Sequence, residues 1–380
     1  MYNQLISQFD SMIPIITVVL GTRPEAIKLA PVIIKLKENK DIRLRVVLTG
    51  QHKEMVNKVI EIFNINVDNN LDIMKDNQTL SYIICETLNG LKIEFEKYRS
   101  NLVLVQGDTS TAFAAALAAF YEKIPIAHVE AGLRTNNLFE PFPEEVNRRL
   151  ISQMSSLHFA PTKLSKTNLL ESGVSGKIFI TGNTVVDALL IIANKNIHHN
   201  HSHLYLEDED IILATVHRRE NWGEPLKQIC EGFKLILKKY NRLKIIIPMH
   251  PNRIVRDIFT DELANHSRVR LIEPLPYDEL VTVIKRCKLV LTDSGGLQEE
   301  APALGKPVLV LRDNTERTEA LNSGASRLVG KKPQDIFEGV DKLMSNSYEY
   351  NKMSNSANPY GEGNASDLIA LECDRLVKRK

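Results

Sequence analysis

Residues 15–28 read IITVVLGTRPEAIK, and that run sets the fold. Positions 15–20 are apolar and mostly β-branched, as in a buried strand. Gly21 permits a tight turn, and Pro24 suits the first position of a helix, where its missing amide would go unpaired anyway. Strand, glycine turn and helix make the opening of a βα unit. The same rhythm recurs outward along the chain, with strands expected at 44–48, 102–106, 125–129, 157–160 and 178–181. These apolar runs are continuous rather than alternating, as expected of parallel strands covered by helices on both faces. The pattern pauses over the polar stretch 194–208, which holds the histidine-rich tract 198–203. A second series then expects strands at 211–216, 244–248, 269–272, 289–291, 307–311 and 327–329. The segment 345–366, rich in Asn, Ser, Tyr and Gly, reads as a long connection. Residues 367–378 read as a terminal helix with Leu368, Leu371 and Leu376 on or near one face.

At 380 residues the chain exceeds what one hydrophobic core usually supports, so two domains of roughly 150 to 200 residues are expected. The expected fold class is α/β, with two doubly wound Rossmann-like domains facing across a cleft lined by strand-end loops. The first domain takes residues 1–183 and the second 184–360, with a C-terminal helix in 361–380 packing back on the first. Lys and Arg total 48 against 47 Asp and Glu, a formal charge of +1, which argues against a nucleic-acid or acidic-membrane partner. Any anion must then be held by a local site. Cys85, Cys230, Cys287 and Cys373 lie far apart without metal-ligand spacing, so neither a disulfide scaffold nor a metal site is expected, and Cys85 and Cys287 read as small core residues. No signal-peptide pattern opens the sequence and no apolar run reaches the ~20 residues of a membrane span, so a cytoplasmic protein is expected. The histidine tract reads as an exposed linker rather than a metal site.

Chemistry-bearing residues gather at the expected strand ends. Arg23 and Lys28 place two cations near the first helix start, and no GxGxxG dinucleotide fingerprint is present. The third strand ends in QGDTST, where Asp108 suits either a helix N-cap or a site carboxylate, and the next runs into HVEAGLRT with Glu130 at its end. In PFPEEVNRR, Pro143 starts a helix and Glu144 and Arg148 share a face at i, i+4. In the second half, His217 and Arg218 follow a strand in ATVHRREN. The stretch TDSGGLQEE brings Ser294, Gly295 and Gly296 to a helix start, where backbone amides can approach an anion, with Glu300 one turn on, placed for ribose hydroxyls. Arg312 and Arg317 add cations after the next strand, so this half reads as a nucleotide-diphosphate site.

In order and spacing, GTRPEAIK, QGDTST, HVEAGLRT, PEEVNR, ITGNTVVDAL, HRREN, DSGGLQEEAP and TER resemble the non-hydrolysing UDP-N-acetylglucosamine 2-epimerases over about residues 15 to 380. The hydrolysing relatives carry a different first loop in place of GTRPE. The resemblance implies a GT-B-like fold, a homodimer, and interconversion of UDP-GlcNAc and UDP-ManNAc without a cofactor, supplying cell-surface polysaccharide synthesis. It implies a catalytic group of Asp108, Glu130, Glu144, Arg148 and His217. Substrate contacts would come from Arg23, Lys28, Asp108, Glu130, His217, Ser294, Gly295, Gly296, Glu300 and Arg317. A regulatory pocket for a second UDP-GlcNAc would map to Gln51, Glu144, Arg218 and His250, although Glu54 stands where strongly regulated members have glutamine.

Inverting C2 of such a sugar needs more than deprotonation, because the C2 hydrogen is not next to a carbonyl. Eliminating UDP offers a route, and it requires acid/base groups on two faces and a clamp for the departing diphosphate. The three carboxylates and the histidine suit the first need, and Arg23, Arg317 and the 294–296 turn suit the second. Asp108 is the expected acid/base at C2, with Glu130 and Glu144 sharing the opposite-face and leaving-group roles. A glycosyltransferase using a UDP-sugar donor and a non-catalytic nucleotide-sugar sensor are the competing readings, both sharing the nucleotide site but not needing three clustered acids.

Overall fold

The computed structural model describes residues 13–51, 53–135, 137–195 and 210–378, and the histidine tract 198–203 lies outside them. The described residues fall into two units, one running up to Ala188 and resuming at Tyr360, the other spanning Leu189–Pro359. The division falls inside helix Thr184–Asn194.

The first unit carries β1 (Ile15–Leu20), β2 (Arg43–Leu48), β3 (Asn69–Asn70), β4 (Leu102–Gln106), β5 (Ile126–Val129), β6 (Leu157–Ala160) and β7 (Lys177–Ile180). They form one sheet in the order β3-β2-β1-β4-β5-β6-β7, and every pairing is parallel. The second unit carries β8 (Asp210–Thr215), β9 (Leu243–Pro248), β10 (Val269–Ile272), β11 (Leu289–Thr292), β12 (Val308–Val310) and β13 (Ser326–Leu328). Its parallel order is β10-β9-β8-β11-β12-β13. Both are doubly wound Rossmann-like sheets. Strand order reverses between β1 and β4 in one and between β8 and β11 in the other, so ligand-binding crevices are expected at those two places. All five residues of β4 are buried, as the continuous apolar pattern requires, and the alanine-rich helix Ser110–Tyr121 packs closely because its side chains are small.

Three expectations need correction. The stretch 345–366 is not all connection, since Ser347–Ser354 is a helix whose Asn346 side chain accepts from the amides of Tyr348 and Glu349. The terminal helix, Ala365–Lys378, buries Ile369, Cys373 and Val377 at i, i+4, i+8, while Leu368 and Leu371 are exposed. Cys85 is exposed rather than a core residue, whereas Cys287 is buried. In addition, the two-residue β3 gives no apolar signal and exists only by pairing with Val47 and Leu48.

The terminal helix packs on helix Arg23–Glu38 and is pinned by Asn39 to Asp374 (2.8 Å) and by Lys35 to Asp367 (3.1 Å). Its first turn is capped from a distance. The buried Asp187 carboxylate accepts from the Ser366 amide (2.7 Å), the Ser366 hydroxyl (2.6 Å) and the Ala365 amide (3.3 Å). Asp187→Ala should therefore leave three buried or half-buried donors unmet and cost about 1–3 kcal/mol of stability. Calorimetric unfolding checks this, and an unchanged melting temperature would show that the apolar face alone holds the helix.

Candidate active site

In the first unit the site forms at the reversal between β1 and β4. Gly21 ends β1 where a side chain cannot fit, because a β-carbon there would lie 2.3 Å from Thr49 Oγ1 and 2.6 Å from Thr111 Oγ1. Glu25, in the first turn of helix Arg23–Glu38, is buried and accepts from the amides of Gly21 and Thr22 (2.7 Å each) and from the Thr109 hydroxyl. It thereby ties the first loop to the turn after β4. Thr109 is the N-cap of helix Ser110–Tyr121, accepting from the Ala112 amide at 3.0 Å. Capping is thus not the work of Asp108, whose carboxylate pairs with the Arg148 guanidinium, while its backbone carbonyl accepts from Asn147 (2.9 Å). Gly107, just before it, is held by His128, whose Nε2 lies 2.7 Å from the Gly107 carbonyl. Burial pushes the His128 imidazole down to about 3, so the ring is neutral and carries its Nε2 proton toward that carbonyl.

Glu130 follows β5 with a left-handed backbone, φ +62, a conformation non-glycine residues seldom adopt and one that often marks a functional turn. Its carboxylate accepts from Lys28 Nζ (2.6 Å), Asn183 Nδ2 (3.0 Å) and Gln106 Nε2. Glu144 opens helix Glu144–Met154, and Arg148, one turn later, is buried and also pairs with the fully buried Glu145 at 3.3 Å. Burial raises the Asp108 carboxyl above its usual range; Arg148 and Lys28 oppose this and Glu130 reinforces it. Glu144 is also raised, by burial first and then by the Asp108 charge. Two acids poised above the usual carboxylate range, beside a third held by a lysine, suit proton exchange near neutral pH.

In the second unit the reversal between β8 and β11 brings the loops 217–222 and 293–296 together. Asp293, fully buried, accepts from the His217 amide (2.9 Å), the Arg218 amide (2.9 Å) and Asn221 Nδ2 (2.9 Å). The His217 ring stacks on that of His250, centroids 5.7 Å apart and planes 16° apart, and Trp222 Nε1 donates to the His217 carbonyl at 3.1 Å. Helix Gly295–Ala303 starts at the N-cap Ser294, which makes no side-chain capping bond. A β-carbon on Gly295 would sit 3.3 Å from Glu316 Oε1 and 3.6 Å from guanidinium nitrogens of Arg218 and Arg317. The helix start therefore lies among cations, with its amides and dipole favouring an anion. Those cations are balanced by carboxylates: Arg317 pairs with buried Glu299, and Glu316 with Arg218 and Arg312, both at 2.8 Å. Burial alone would raise Glu316, but Arg317 and Arg218 hold it down to about 2. Glu300 accepts from the Tyr277 hydroxyl at 3.0 Å.

The structure thus brings Lys28, Asp108, Glu130, Glu144 and Arg148 into one cluster of the first unit, with Arg23 half-buried at the start of its helix. It brings His217, Arg218, His250, Gly295 and Arg317 into another in the second, with Ser294, Gly296 and Glu300 on the same helix start. Gln51 accepts from the Thr111 hydroxyl at its side chain (2.6 Å) and from Gln78 at its backbone carbonyl (3.2 Å). Sequence reasoning missed Glu25, Gln106, Asn183, Glu299, Glu316 and Asp293. Each lies inside a motif that it singled out, but a residue acting through another side chain leaves no spacing signal. Among the described residues no group of three or more His, Cys, Asp or Glu side chains is arranged to hold a metal ion, and no helix is long and apolar enough to cross a membrane.

Residues 34–372 match the family model described as UDP-N-acetylglucosamine 2-epimerase. The chain is 47% identical over 370 residues to the UDP-N-acetylglucosamine 2-epimerase of Neisseria meningitidis, covering 95% of this chain and 99% of that one. The crystal structure of the Neisseria meningitidis enzyme bound to UDP-GlcNAc superposes with a TM-score of 0.88 at 46% identity, over 95% of this chain and 100% of that one. The Methanocaldococcus jannaschii UDP-GlcNAc 2-epimerase, in complex with UDP-GlcNAc and UDP, aligns with a TM-score of 0.79 at 37% identity, over 95% and 99%. Two Rossmann-like sheets with carboxylates at one switch point and an anion turn at the other define a nucleotide-sugar enzyme of GT-B-like fold. The chain belongs to the UDP-N-acetylglucosamine 2-epimerase family and is an isomerase of that type.

Because Arg148 opposes the upward push of burial on Asp108, Arg148→Met should raise the Asp108 titration further and move the acid limb of the pH–rate profile to higher pH. Carbon-13 NMR of labelled aspartate across a pH series reads this directly. An unmoved Asp108 resonance would show that the guanidinium does not govern its charge.

Proposed function

We propose that the protein interconverts UDP-GlcNAc and UDP-ManNAc by eliminating and re-adding UDP. The observation that carries this is the group of three carboxylates, Asp108, Glu130 and Glu144, gathered around Arg148 and Lys28, with the first two acids at successive strand ends. One carboxylate removes the C2 proton as the bond from C1 to the diphosphate oxygen breaks, leaving a C1–C2 double bond in 2-acetamidoglucal. The same diphosphate oxygen then attacks C1, and a second acid delivers a proton to the opposite face of C2. Asp108 serves as one C2 acid/base; Glu130 and Glu144 share the opposite-face and leaving-group roles. Arg148 holds Asp108 ionisable, and His217 exchanges a proton with the substrate.

The departing dianion draws on Arg23, Lys28, Arg317 and the amides of the Ser294–Gly296 turn, with Glu300 on the ribose. The net reaction is redox-neutral, so it requires no hydride carrier. Incubation with UDP-GlcNAc alone in D2O tests the reading by proton NMR. UDP-ManNAc carrying deuterium at C2 is expected, whereas an epimer that keeps its original C2 hydrogen would exclude elimination, and release of UDP without epimer would point to transfer or hydrolysis.

We further infer a homodimer with a second, regulatory UDP-GlcNAc site at Gln51, Glu144, Arg218 and His250. Exposed apolar side chains support self-association: Leu80 and Ile93 on helix Leu80–Lys97, and Phe120 and Tyr121 on its neighbour. Arg218 and the stacked His250 supply the polar and aromatic groups that a nucleotide pocket uses. Glu54 places a carboxylate where strongly regulated relatives have glutamine, so the coupling is modest. Weakly sigmoidal initial rates from a sedimenting dimer, made hyperbolic by Arg218→Ala, are the expected result; hyperbolic kinetics in the unaltered protein would show a silent second site.

A further inference from the structure

Asp293 lies beyond β11, between the strand and the Ser294–Gly296 turn, and its side chain is fully buried. A carboxylate withdrawn from water costs several kcal/mol unless its lone pairs are met. Here every donor comes from a single segment, 217–221. Oδ2 accepts from the amides of His217 and Arg218 and from Asn221 Nδ2, each at 2.9 Å, and Oδ1 accepts from the His217 amide at 3.1 Å. His217 Nδ1 lies 3.2 Å from the same Oδ1. Backbone bonds complete the tie: the Asp293 amide donates to the Thr215 carbonyl at 3.2 Å, and Arg218 Nε donates to the Asp293 carbonyl at 3.0 Å.

A carboxylate oxygen accepts, so the ring nitrogen that lies 3.2 Å from Asp293 Oδ1 is the one favoured to carry the proton, His217 Nδ1. The neutral ring then presents its lone pair at Nε2, the nitrogen left for proton exchange with a substrate. The groups that face the ring are Asp293 from the end of β11, His250 from the end of β9, and Arg218 from its own segment. Burial lowers the His217 titration; Asp293 raises it again, and His250 and Arg218 add to the lowering. Asp293 is thus the opposing charge that keeps the imidazole protonatable.

We propose that Asp293 is the positioning residue of His217: it holds the ring in its Nδ1–H tautomer and sets the pH at which Nε2 exchanges its proton. The proposal rests on the reading above that His217 acts on the substrate. A merely structural role, tying β8 to β11 through backbone amides, would need the carboxylate but not its closeness to the ring nitrogen.

The test uses the full chain with histidine labelled in nitrogen-15 and carbon-13, the His217 signals being identified by their loss in His217→Asn. The unaltered protein should show the Nδ1–H tautomer at neutral pH, and an Nε2–H tautomer would overturn the proposal without any Asp293 variant. Asp293→Asn should move the His217 titration and the matching limb of the pH–rate profile to lower pH, with kcat reduced by about 10- to 100-fold, the usual scale for losing an orienting partner. Should that variant fail to fold, Asn221→Ala removes another donor from the same carboxylate; it should lower the melting temperature yet leave the His217 tautomer and titration unchanged. A His217 titration that stays put in Asp293→Asn, or one that moves equally in Asn221→Ala, refutes the positioning role. Full turnover in His217→Asn would instead sink the assigned part of His217 in the reaction, while the NMR result on Asp293 would stand.

Discussion

A parallel strand covered on both faces has room for polar chemistry only where it ends. Many of the candidate groups in this protein obey that constraint. Gly21 and Arg23 follow β1, Asp108 follows β4 and Glu130 follows β5; in the other unit His217 follows β8, His250 follows β9 and Asp293 follows β11. Strand order reverses between β1 and β4 and between β8 and β11, so at those two places neighbouring loops turn to opposite sides and leave a crevice. Helix N-termini open into the same crevices, and their amides supply the positive field that an anionic nucleotide needs.

Gathering so many charges at buried strand ends has a cost, and the structure offsets it by pairing. Glu130 receives Lys28, Asn183 and Gln106, Glu145 receives Arg148 and Arg149, and Glu299 receives Arg317. Asp108 and Glu144 remain raised, because burial outweighs the cations there, and so do Asp187 and Glu25, the last with three donors that tie the first loop together. In the second unit, Glu316 balances Arg218 and Arg312. This local balancing suits a chain whose net charge is only +1.

Where sequence reasoning went astray, the cause was a missing partner. The terminal helix was oriented by its leucines, yet it buries Ile369, Cys373 and Val377, because that is the stripe facing helix Arg23–Glu38. Apolar neighbours in the sequence place Cys85 in the core, but its position on helix Leu80–Lys97 turns it outward. For Asp108 the residue types leave a cap and a site carboxylate both open, and the structure gives the cap to Thr109. The helix Ser347–Ser354 lay hidden in a polar composition because its capping residue, Asn346, also reads as a loop signal.

The sequence by itself determined the alternation of buried strand and helix, the doubly wound α/β class, the motifs at the strand ends, and the resemblance that names the family. These are local or ordered features: apolar periodicity, glycine and proline at turns, and residue types at fixed spacing. Tertiary structure decided which side chains meet and what each meeting does to their charge. Asp108 finds Arg148 forty positions away, Lys28 finds Glu130, and Asp293 gathers the 217–221 loop from across β8 and β11. A carboxylate's ionisation depends on burial and on neighbours within a few ångströms, and those neighbours come from elements adjacent in the fold but distant along the chain.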